Sequence, residues 1–572
     1  MRIFTVSACF LLIVLAGCNS DSSQSKDTVP KLNNITVSTA PLMTKPKSMF
    51  ERHLKHGVYL QHQGLSLVHI LEDGAASDNS ATQSYSTTNV QEVGVDEGDR
   101  VKYNGDLLFI ASNNYDYAYS YADNSQPSEV KAKVRVLRKS TSGELSHLTD
   151  ISLAASDNEI TQLYLAEDTL TVMSQKQMVH IEPFGSGLFQ AEQAFSVEAY
   201  NVASPANPQK RFALSIDGQI IDTRRINNTL YVVSSFSPSV ADLKSSDTEE
   251  DRLYNYQAIM AKPLDSLLPK YTDANGNEQT LTSSENCYLP LTVTDKDGFN
   301  GIVTLTALDI NNGEVLHSTC VNTQIDGIYA TPNSIYLYGT DYVNGIADVE
   351  EKSVIHKFSL ETHAIEYQAS GTLKGRFNWH MSNLRFSEHD GYLRVVTTEG
   401  DQVQGFDHRL NILSQQQDEL ALISQLPSEG SSVTLGKRNS EGVVDEDIKA
   451  VRFYQDRAFI VTYRTIDPLY VLDLTDPETP AIKGELEIPG YSAYLHPLNE
   501  RLLIGVGQQV DPDRLVGSGA SESNEDSPII EGAKISLFDI SDISAPKEAS
   551  SIVFENGYTP VEYDYHAFTS LK

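Results

Sequence analysis

The feature that most constrains the fold is a repeated strand pattern that begins near residue 98. Each repeat opens with a short alternating strand, a polar turn and a nearly continuous apolar strand, as in "GDRVKYNGDLLFIAS" and "DIKAVRFYQDRAFIVTY". A second segment follows, in which a strand ends in Asp and an apolar residue before a proline-bearing turn and another strand, as in "PLYVLDLTDPETPAIKGELEIPG". The two segments together predict a unit of four antiparallel strands.

Seven of these units follow one another along the chain, usually at a spacing of about 45 to 65 residues. One such unit cannot bury both faces of its sheet, whereas radial stacking buries both. The sequence therefore predicts an all-β fold, a β-propeller of four-stranded antiparallel blades. Seven blades are favoured; eight are the alternative, because "YTPVEYDYHAFTSLK" resembles the opening strand of a further unit.

The composition changes along the chain predict four regions. The residues from 19 to 48 are polar and lack apolar periodicity, which is typical of a tether. The predicted regions are a signal peptide at 1–17, a flexible tether at 18–48, an N-terminal extension with a short helix at 49–84, and a β-propeller at 85–572 with insertions at 235–300 and 508–533.

The N-terminus carries an export signal. A basic residue, Arg2, precedes an apolar run that is too short to span a bilayer as a stable helix. The sequence Leu15-Ala16-Gly17-Cys18 resembles the lipobox of bacterial lipoproteins, which implies cleavage before Cys18 and lipidation of its thiol. A simple secretory signal is the alternative. The following Asn19 favours the outer membrane, so the predicted location is the cell envelope.

Export changes the interpretation of the remaining cysteines. Cys9 is lost with the signal peptide and Cys18 carries the lipid, which leaves Cys287 and Cys320. Two thiols in an oxidising compartment are typical of a structural disulfide, and neither has the spacing of a metal site.

The net charge of the chain limits the classes of partner that it is expected to bind. The 43 basic and 77 acidic residues give a formal net charge of −34. Nucleic acid and anionic membrane surfaces reward clustered Lys and Arg, so neither is expected as a partner. No cofactor is predicted, although an acidic chain leaves Ca²⁺ binding open.

Four carboxylates precede the first apolar strand: Glu92, Asp96, Glu97 and Asp99. Turn chemistry, in which carboxylates accept backbone N–H bonds, is the favoured interpretation. Asp96, Glu97 and Asp99 are also candidate metal ligands, and catalysis is the remaining alternative. The motifs "DANGNE" and "DKDGFN" likewise fit either fragments of calcium loops or Asx and Gly turns.

Two histidines in the N-terminal extension, His53 and His56, have the i, i+3 spacing that places both on one helix face. A metal site there needs further ligands, so solvated helix residues are the favoured interpretation.

Three stretches resemble a bacterial family of secreted β-propeller proteins that is described as distantly WD40-like. They are "YSTTNVQEVGVDEGDRVKYNGDLLFI" at 85–110, "FSEHDGYLRVVTT" at 386–398 and the long stretch 451–498. The resemblance implies the propeller fold and the lipoprotein character. It implies little about activity, because one fold supports many functions.

No catalytic residue is predicted. The sequence contains no H-E-x-x-H, G-x-S-x-G, Walker or G-x-G-x-x-G motif. The favoured function is therefore a lipid-anchored binding or scaffold module for protein or glycan partners of the cell envelope. The alternative is an envelope hydrolase with its site in the central channel.

Overall fold

The structure is a computed structural model that describes most of the chain. The described residues are 28–33, 38–64, 88–113, 132–153, 158–176, 194–341, 351–361, 364–377, 381–464, 466–516 and 527–570. The predicted signal peptide and Cys18 lie outside the described residues, as does the whole region from 65 to 84.

Nearly all of the described secondary structure is β-strand, arranged in six sheets of four to eight strands. Each sheet contains a run of four strands that pair in an antiparallel order, and the eight-stranded sheet contains two such runs. These two runs meet through one parallel pair, Ser370 with Glu419. The predicted all-β class is confirmed, and the number of blades stays a prediction.

The sheets are numbered here in chain order. Sheet 1 contains Val101–Tyr103, Leu107–Ser112, Lys133–Lys139 and Leu145–Ser152. Sheet 2 contains Asn158–Ala166, Thr169–Lys176, Ala194–Asn201 and Gln209–Asp217, extended by Lys270–Asp273 and Glu278–Thr280. Sheet 3 contains Gln219–Ile226, Thr229–Phe236, Ile302–Asp309 and Val315–Val321, extended by Asp96–Glu97, Cys287–Pro290 and Leu42–Thr44.

Sheets 4 to 6 follow in chain order. The two runs of sheet 4 are Gly327–Thr331, Ser334–Asp341, Lys352–Glu361 and Ala364–Lys374, then Phe386–His389, Tyr392–Asp401, Gly405–Gln416 and Glu419–Leu426. Sheet 5 contains Asp447–Tyr454, Arg457–Tyr463, Ile466–Asp473 and Ala481–Pro489. Sheet 6, the last sheet, contains Tyr491–Asn499, Leu502–Val516, Ser527–Asp539 and Lys547–Glu555.

The core lies between sheets, because strand alternation gives each sheet an apolar face. In Leu107–Ser112, for example, Leu107, Phe109 and Ala111 are buried and join a cluster with Leu163 and Leu170 of sheet 2. Similar clusters join the later sheets in chain order. Apolar burial at about 25 cal/mol per Å² makes these clusters the main source of stability.

The N-terminal extension packs on the rim of sheet 3. Leu42–Thr44 pairs with Cys287–Pro290, so this part of the predicted tether at 18–48 belongs to the folded body. Helix α1 (Lys47–His62) follows and packs near helix α2 (Glu249–Met260). The expectation that His53 and His56 are solvated is wrong, since both are almost fully buried between α1 and the insertion. Among the described residues, no helix has the length and apolar character needed to cross a membrane.

The predicted insertion at 235–300 is an ordered excursion from sheet 3. It contains α2, whose N-cap Thr248 accepts a hydrogen bond from the backbone N–H of Asp251. Two 3-10 turns, Leu264–Ser266 and Ser284–Asn286, flank a hairpin that extends sheet 2. The turn of that hairpin is the "DANGNE" motif, in which the Asp273 carboxylate accepts N–H bonds from Asn275 and Asn277 at 2.9 Å.

The predicted disulfide between Cys287 and Cys320 is confirmed. The two cysteines face each other in a parallel pair between the insertion and the outer strand of sheet 3, with Cα atoms 4.4 Å apart. The second predicted insertion, 508–533, differs from expectation. Its described residues prolong the two central strands of sheet 6 rather than forming a separate loop.

Candidate functional site

The acidic segment 88–97 touches the first strand of nearly every sheet. Its contacts reach Lys102 in sheet 1, Arg224 and Arg225 in sheet 3, Tyr329 and the carbonyl of Phe386 in the two runs of sheet 4, and Tyr494 in sheet 6. Just beyond it, Asp99 exchanges backbone hydrogen bonds with Leu163 in the first strand of sheet 2. The first strands of these sheets therefore converge on the segment, which occupies the centre of the molecule.

A buried ionic network, here called the central cluster, surrounds the segment. Its members are the charged side chains of Asp96, Glu97, Lys102, Arg224, Arg225 and His566.

Asp96 is held by two cations. Its carboxylate accepts hydrogen bonds from Nε and Nη2 of Arg225 at 2.9 and 2.7 Å, and from Nζ of Lys102 at 3.0 Å. Burial by itself favours the neutral acid, but the two cations outweigh that effect and lower the pKa of Asp96. Asp96 is therefore ionised and links the entry of sheet 1 to the first strand of sheet 3.

Glu97 lies deeper, with 1% of its surface exposed. One carboxylate oxygen is 3.3 Å from Nε of Arg224, and the other is 3.6 Å from Nε2 of His566. Burial raises the pKa of Glu97, while Arg224 and His566 act in the opposite direction. Arg224 is itself fully buried and also donates to the Asp222 carboxylate at 2.6 Å.

His566 belongs to the end segment, defined here as residues 560–568, which contains the 3-10 turns Pro560–Glu562 and Tyr565–Ala567. Burial disfavours a charged imidazole, but the carboxylates of Asp564 and Glu97 outweigh it and raise the pKa of His566 to about 9. Asn89 also donates to the carbonyl of Tyr565 at 2.9 Å. The end segment and the acidic segment are thus tied together at the centre.

Asp96, Glu97 and Asp99 each accept a backbone N–H bond, as the favoured interpretation predicts, and two of them also form ion pairs. Asp99 performs turn chemistry, since its side chain accepts the N–H of Val101 at 3.2 Å. Asp96 accepts the N–H of Glu97 at 3.0 Å, and Glu97 accepts the N–H of Gln91 at 3.4 Å. Both carboxylates also form ion pairs, so cations occupy oxygens that a metal would need. Within the described ranges, no three His, Cys, Asp or Glu side chains are grouped as metal ligands. The metal hypothesis stays a prediction.

Sequence reasoning missed the cations of the cluster. Arg224 and Arg225 stand side by side in "QIIDTRRINN", a strand in which three isoleucines stand among polar residues. Alternation sends one of the two inward, so a buried Arg could have been suspected there. Nothing in the sequence marks which carboxylate it meets.

Glu92 carries the other perturbed carboxyl group at the centre. Burial raises its pKa to about 7, although Tyr329 donates a hydrogen bond to it at 2.7 Å. A carboxyl that titrates near neutrality can act in proton transfer when a substrate reaches it.

A second polar site lies at the rim of sheet 3. A cavity of about 380 Å³ is lined by His53, Asp297, Asn322 and neighbouring Thr and Ser side chains. Nδ1 of His53 is 2.7 Å from Oδ1 of Asn322, and the Asn322 amide nitrogen donates to two backbone carbonyls. Burial lowers the pKa of His53 to about 4, so the ring is neutral at pH 7. Its hydrogen bond to Asn322 gives it a structural role.

The last sheet differs from these polar sites, because one of its faces is apolar and open. Ile535 pairs with Ile552, and Ala533 pairs with Phe554, which places these side chains on one face. Ile535, Ile552 and Phe554 are 38%, 59% and 53% exposed. This surface is called the outer apolar face. The opposite face of the same sheet packs on sheet 5 through Leu503 and Phe538, although Val553 on its outer strand is 39% exposed.

Comparison with known proteins assigns the architecture. The model of the beta propeller domain family matches residues 85–572. The chain belongs to the beta propeller domain family. This match confirms the predicted β-propeller family over residues 85–572, the range that the sequence indicated.

Two relatives of this propeller are archaeal proteins. An uncharacterized protein of Methanocaldococcus jannaschii is 25% identical over 612 aligned positions, which cover 98% of this chain and 85% of the relative. An uncharacterized protein of Archaeoglobus fulgidus is 35% identical over 218 positions, which cover 38% of this chain and 28% of the relative. The bacterial lipoprotein character stays a prediction.

Among solved structures, the propeller is similar to an acylaminoacyl peptidase of Pyrococcus horikoshii. The TM-score is 0.31 at 8% identity, covering 79% of this chain and 52% of the peptidase. A likeness of this size carries no argument about the activity of the propeller.

Proposed function

We propose that this β-propeller is a lipid-anchored binding module of the cell envelope that takes a protein partner on its outer apolar face. The observation that carries the proposal is the exposure of Ile535, Ile552 and Phe554 together on one sheet. Contiguous exposed apolar surface is uncommon on monomers and is typical of interaction sites. A glycan would instead require polar groups around its hydroxyls, so the face favours protein.

The location follows from the N-terminus and the disulfide. The lipobox-like sequence before Cys18 supports an anchor at the envelope. The Cys287–Cys320 disulfide supports an oxidising compartment, because such bonds are rare in the cytosol.

A hydrolase with its site at the centre is the second candidate, favoured by the near-neutral pKa of Glu92. The position of segment 88–97 argues against it. Glu97, Arg224 and His566 are buried against one another and satisfy much of their own charge, so they are poorly placed to meet a substrate.

The test combines fractionation with chemical cross-linking in intact cells. Cys18→Ser should move the protein from membranes to the soluble fraction, and intact mass of the mature wild type should show the acyl groups. The double variant Ile552→Ser/Phe554→Ser should lose its cross-linked partner band.

The matched control is Val403→Ser, which removes an 87% exposed apolar residue from a turn of sheet 4. It should keep the band. Equal loss in both variants, or no loss in either, would contradict binding at the outer apolar face.

A further inference from the structure

The polar cavity at the rim of sheet 3 lies outside both the central cluster and the outer apolar face. It measures about 380 Å³ and is lined by residues 38–40, by His53 of α1, by residues between 290 and 299 of the insertion, and by two residues that follow the outer strand of sheet 3. Sites for small molecules usually measure about 300 to 1,000 Å³. The cavity therefore has the volume of a site for a small ligand.

Asn322 fixes one wall of the cavity. Its side chain is fully buried, and its amide nitrogen donates to the carbonyls of Phe299 at 2.9 Å and Gly301 at 2.6 Å. Its backbone N–H donates to the carbonyl of Tyr288 at 3.0 Å. The disulfide ties the strand that contains Tyr288 to the strand that ends just before Asn322, so covalent and hydrogen bonds hold this wall together.

These bonds determine which nitrogen of His53 carries the proton. Both hydrogens of the Asn322 amide are donated to carbonyls, so Oδ1 of Asn322 accepts, and Nδ1 of His53 at 2.7 Å is the donor. Burial lowers the pKa of His53 to about 4, so the ring is neutral at pH 7 and Nε2 keeps a lone pair. Among the described residues, Nε2 has no hydrogen-bond partner. Since His53 lines the cavity, Nε2 is the atom with which it can accept a hydrogen bond from a ligand.

The other lining groups suit an uncharged ligand that carries hydroxyls. The polar ones are the hydroxyls of Ser38, Thr39, Thr292 and Thr323 and the carboxylate of Asp297. A hydroxyl both donates and accepts, so these groups can pair with ligand hydroxyls in either direction. Phe299 adds an apolar wall, against which the C–H groups of such a ligand can pack. No Lys or Arg lines the cavity within the described ranges, which disfavours an anion.

The single carboxylate of the cavity is already engaged. Asp297 accepts hydrogen bonds from the amide of Asn33 at 2.6 Å and from the N–H and hydroxyl of Thr294, both at 2.7 Å. Burial favours the neutral acid, but these hydrogen bonds outweigh it and lower the pKa of Asp297. The carboxylate is thus ionised and largely satisfied, so it can accept from a ligand hydroxyl without requiring a cation.

We infer that this cavity binds a small uncharged polyol, such as a single pyranose ring, either free or at the end of a glycan. Hydroxyls of the ring donate to Nε2 of His53 and to Asp297, and the hydroxyl of Thr323 completes the set. The inference goes beyond the proposed function, because it adds a second site and does not depend on a protein partner at the outer apolar face.

The experiment measures saturation-transfer-difference NMR on the full-length protein in a detergent without a sugar headgroup. The probes are the methyl pyranosides of glucose, galactose, mannose and N-acetylglucosamine, and the reference is tetrahydropyran, the same ring without hydroxyls. The expected result is transfer to at least one pyranoside and none to tetrahydropyran, because a site built for hydroxyls rejects a ligand that lacks them.

Two variants place the binding in the cavity. Thr323→Val keeps the shape of a buried side chain and removes its hydroxyl, and His53→Leu removes the acceptor nitrogen. Each should weaken the bound pyranoside about tenfold, the effect of one lost hydrogen bond. The control is Thr171→Val, which makes the same change at a fully buried threonine of sheet 2 and should leave binding unchanged. Thermal melts establish which variants are folded, and Thr323→Val decides the result if His53→Leu is not.

A trisaccharide of the sugar that binds separates the two sources of the ring. Transfer confined to one end ring identifies a glycan, and no transfer identifies the free sugar; both results support the inference. It is overturned by no transfer to any pyranoside, by equal transfer to tetrahydropyran, or by affinity that Thr323→Val leaves unchanged. The outer apolar face has its own cross-linking test, so either proposal can fail without the other.

Discussion

The centre of this propeller and its last sheet distribute polarity in opposite ways. At the centre, charged side chains such as Glu97 and Arg224 are almost fully buried. On the last sheet, Ile552 and Phe554 are more than half exposed. Burial of charge and exposure of apolar surface both cost free energy, so each region needs a compensating gain.

The compensation differs between the two regions. The central charges are compensated inside the molecule, because each main member of the cluster has an opposite charge within about 4 Å. The pairs that Asp96 and Glu97 form with Arg225, Arg224 and His566 join residues far apart in sequence. The pair with His566 ties the segment that precedes sheet 1 to the end segment. The outer apolar face has no such partner in the described residues, so its compensation is expected from another molecule.

The first prediction concerns Arg224, where the largest effect is expected. Arg224→Met should lower the free energy of unfolding by about 3 to 5 kcal/mol, because it leaves the Glu97 and Asp222 carboxylates without their buried cation. Chemical denaturation monitored by circular dichroism gives the value.

Two further variants separate charge from packing. The double variant Arg224→Met/Glu97→Gln should recover part of the loss, because it removes a charge from both sides of the pair. Arg409→Met, which breaks a partly exposed pair with Asp407, should cost less than about 1 kcal/mol. Equal costs at Arg224 and Arg409 would show that burial of the cluster is unimportant.

The strands and their order could be predicted from the sequence because they depend on local alternation. The run of Leu107 to Ile110 after a polar turn indicates a half-buried strand without any knowledge of its neighbours. The partners of the acidic segment could not be predicted in this way. Asp96 and Arg225 are separated by 129 positions, and only the pairing of Asp96–Glu97 with the first strand of sheet 3 brings them together.

Other features could not be predicted for the same physical reason: the contacts that decide them join residues far apart in sequence. His53 and His56 suggested a solvated helix, since nothing in α1 shows that the insertion covers it. Gly57 is informative only in the structure, where a Cβ atom would lie 2.1 Å from the backbone of Phe299. The strand Lys547–Glu555 contains the consecutive apolar residues Ile552, Val553 and Phe554, yet eight of its nine residues are exposed, which its sequence does not reveal.

The second prediction uses pH to probe the centre. The pKa of His566 is raised to about 9 from an ordinary value of 6.5, so its stabilising contribution is complete below pH 6.5 and is lost as the pH rises toward 9. The pKa of Glu92 is raised to about 7, so this carboxyl also destabilises the fold as the pH rises from about 4.5 to 7.

We therefore expect the free energy of unfolding to fall by about 3 kcal/mol between pH 6.5 and pH 9.5. The same measurement on His566→Gln should show a smaller slope, and the difference between the two proteins isolates the imidazole. Parallel slopes would indicate that His566 is not charged in the folded protein.

The third prediction concerns Asp96, whose network is nearer the surface. Asp96→Asn keeps the size of the side chain and one acceptor oxygen but removes the charge that faces Arg225 and Lys102. The expected loss is about 1 to 2 kcal/mol. A chelator should leave the melting temperature of the wild type unchanged. A chelator-sensitive melt that added Ca²⁺ restores, and that Asp96→Asn abolishes, would instead establish the metal site.

The last prediction is the smallest effect and tests the other half of the comparison. Phe554→Ser should change the free energy of unfolding of the isolated protein by less than about 0.5 kcal/mol, because the ring is more than half exposed. Phe538→Ser, on the opposite face of the same sheet, removes a fully buried ring and should cost about 3 to 5 kcal/mol. Chemical denaturation of both variants under the same conditions compares how much each face contributes to the free energy of unfolding. Similar large losses would mean that Phe554 is packed inside the propeller, which would leave no free face for a partner to cover.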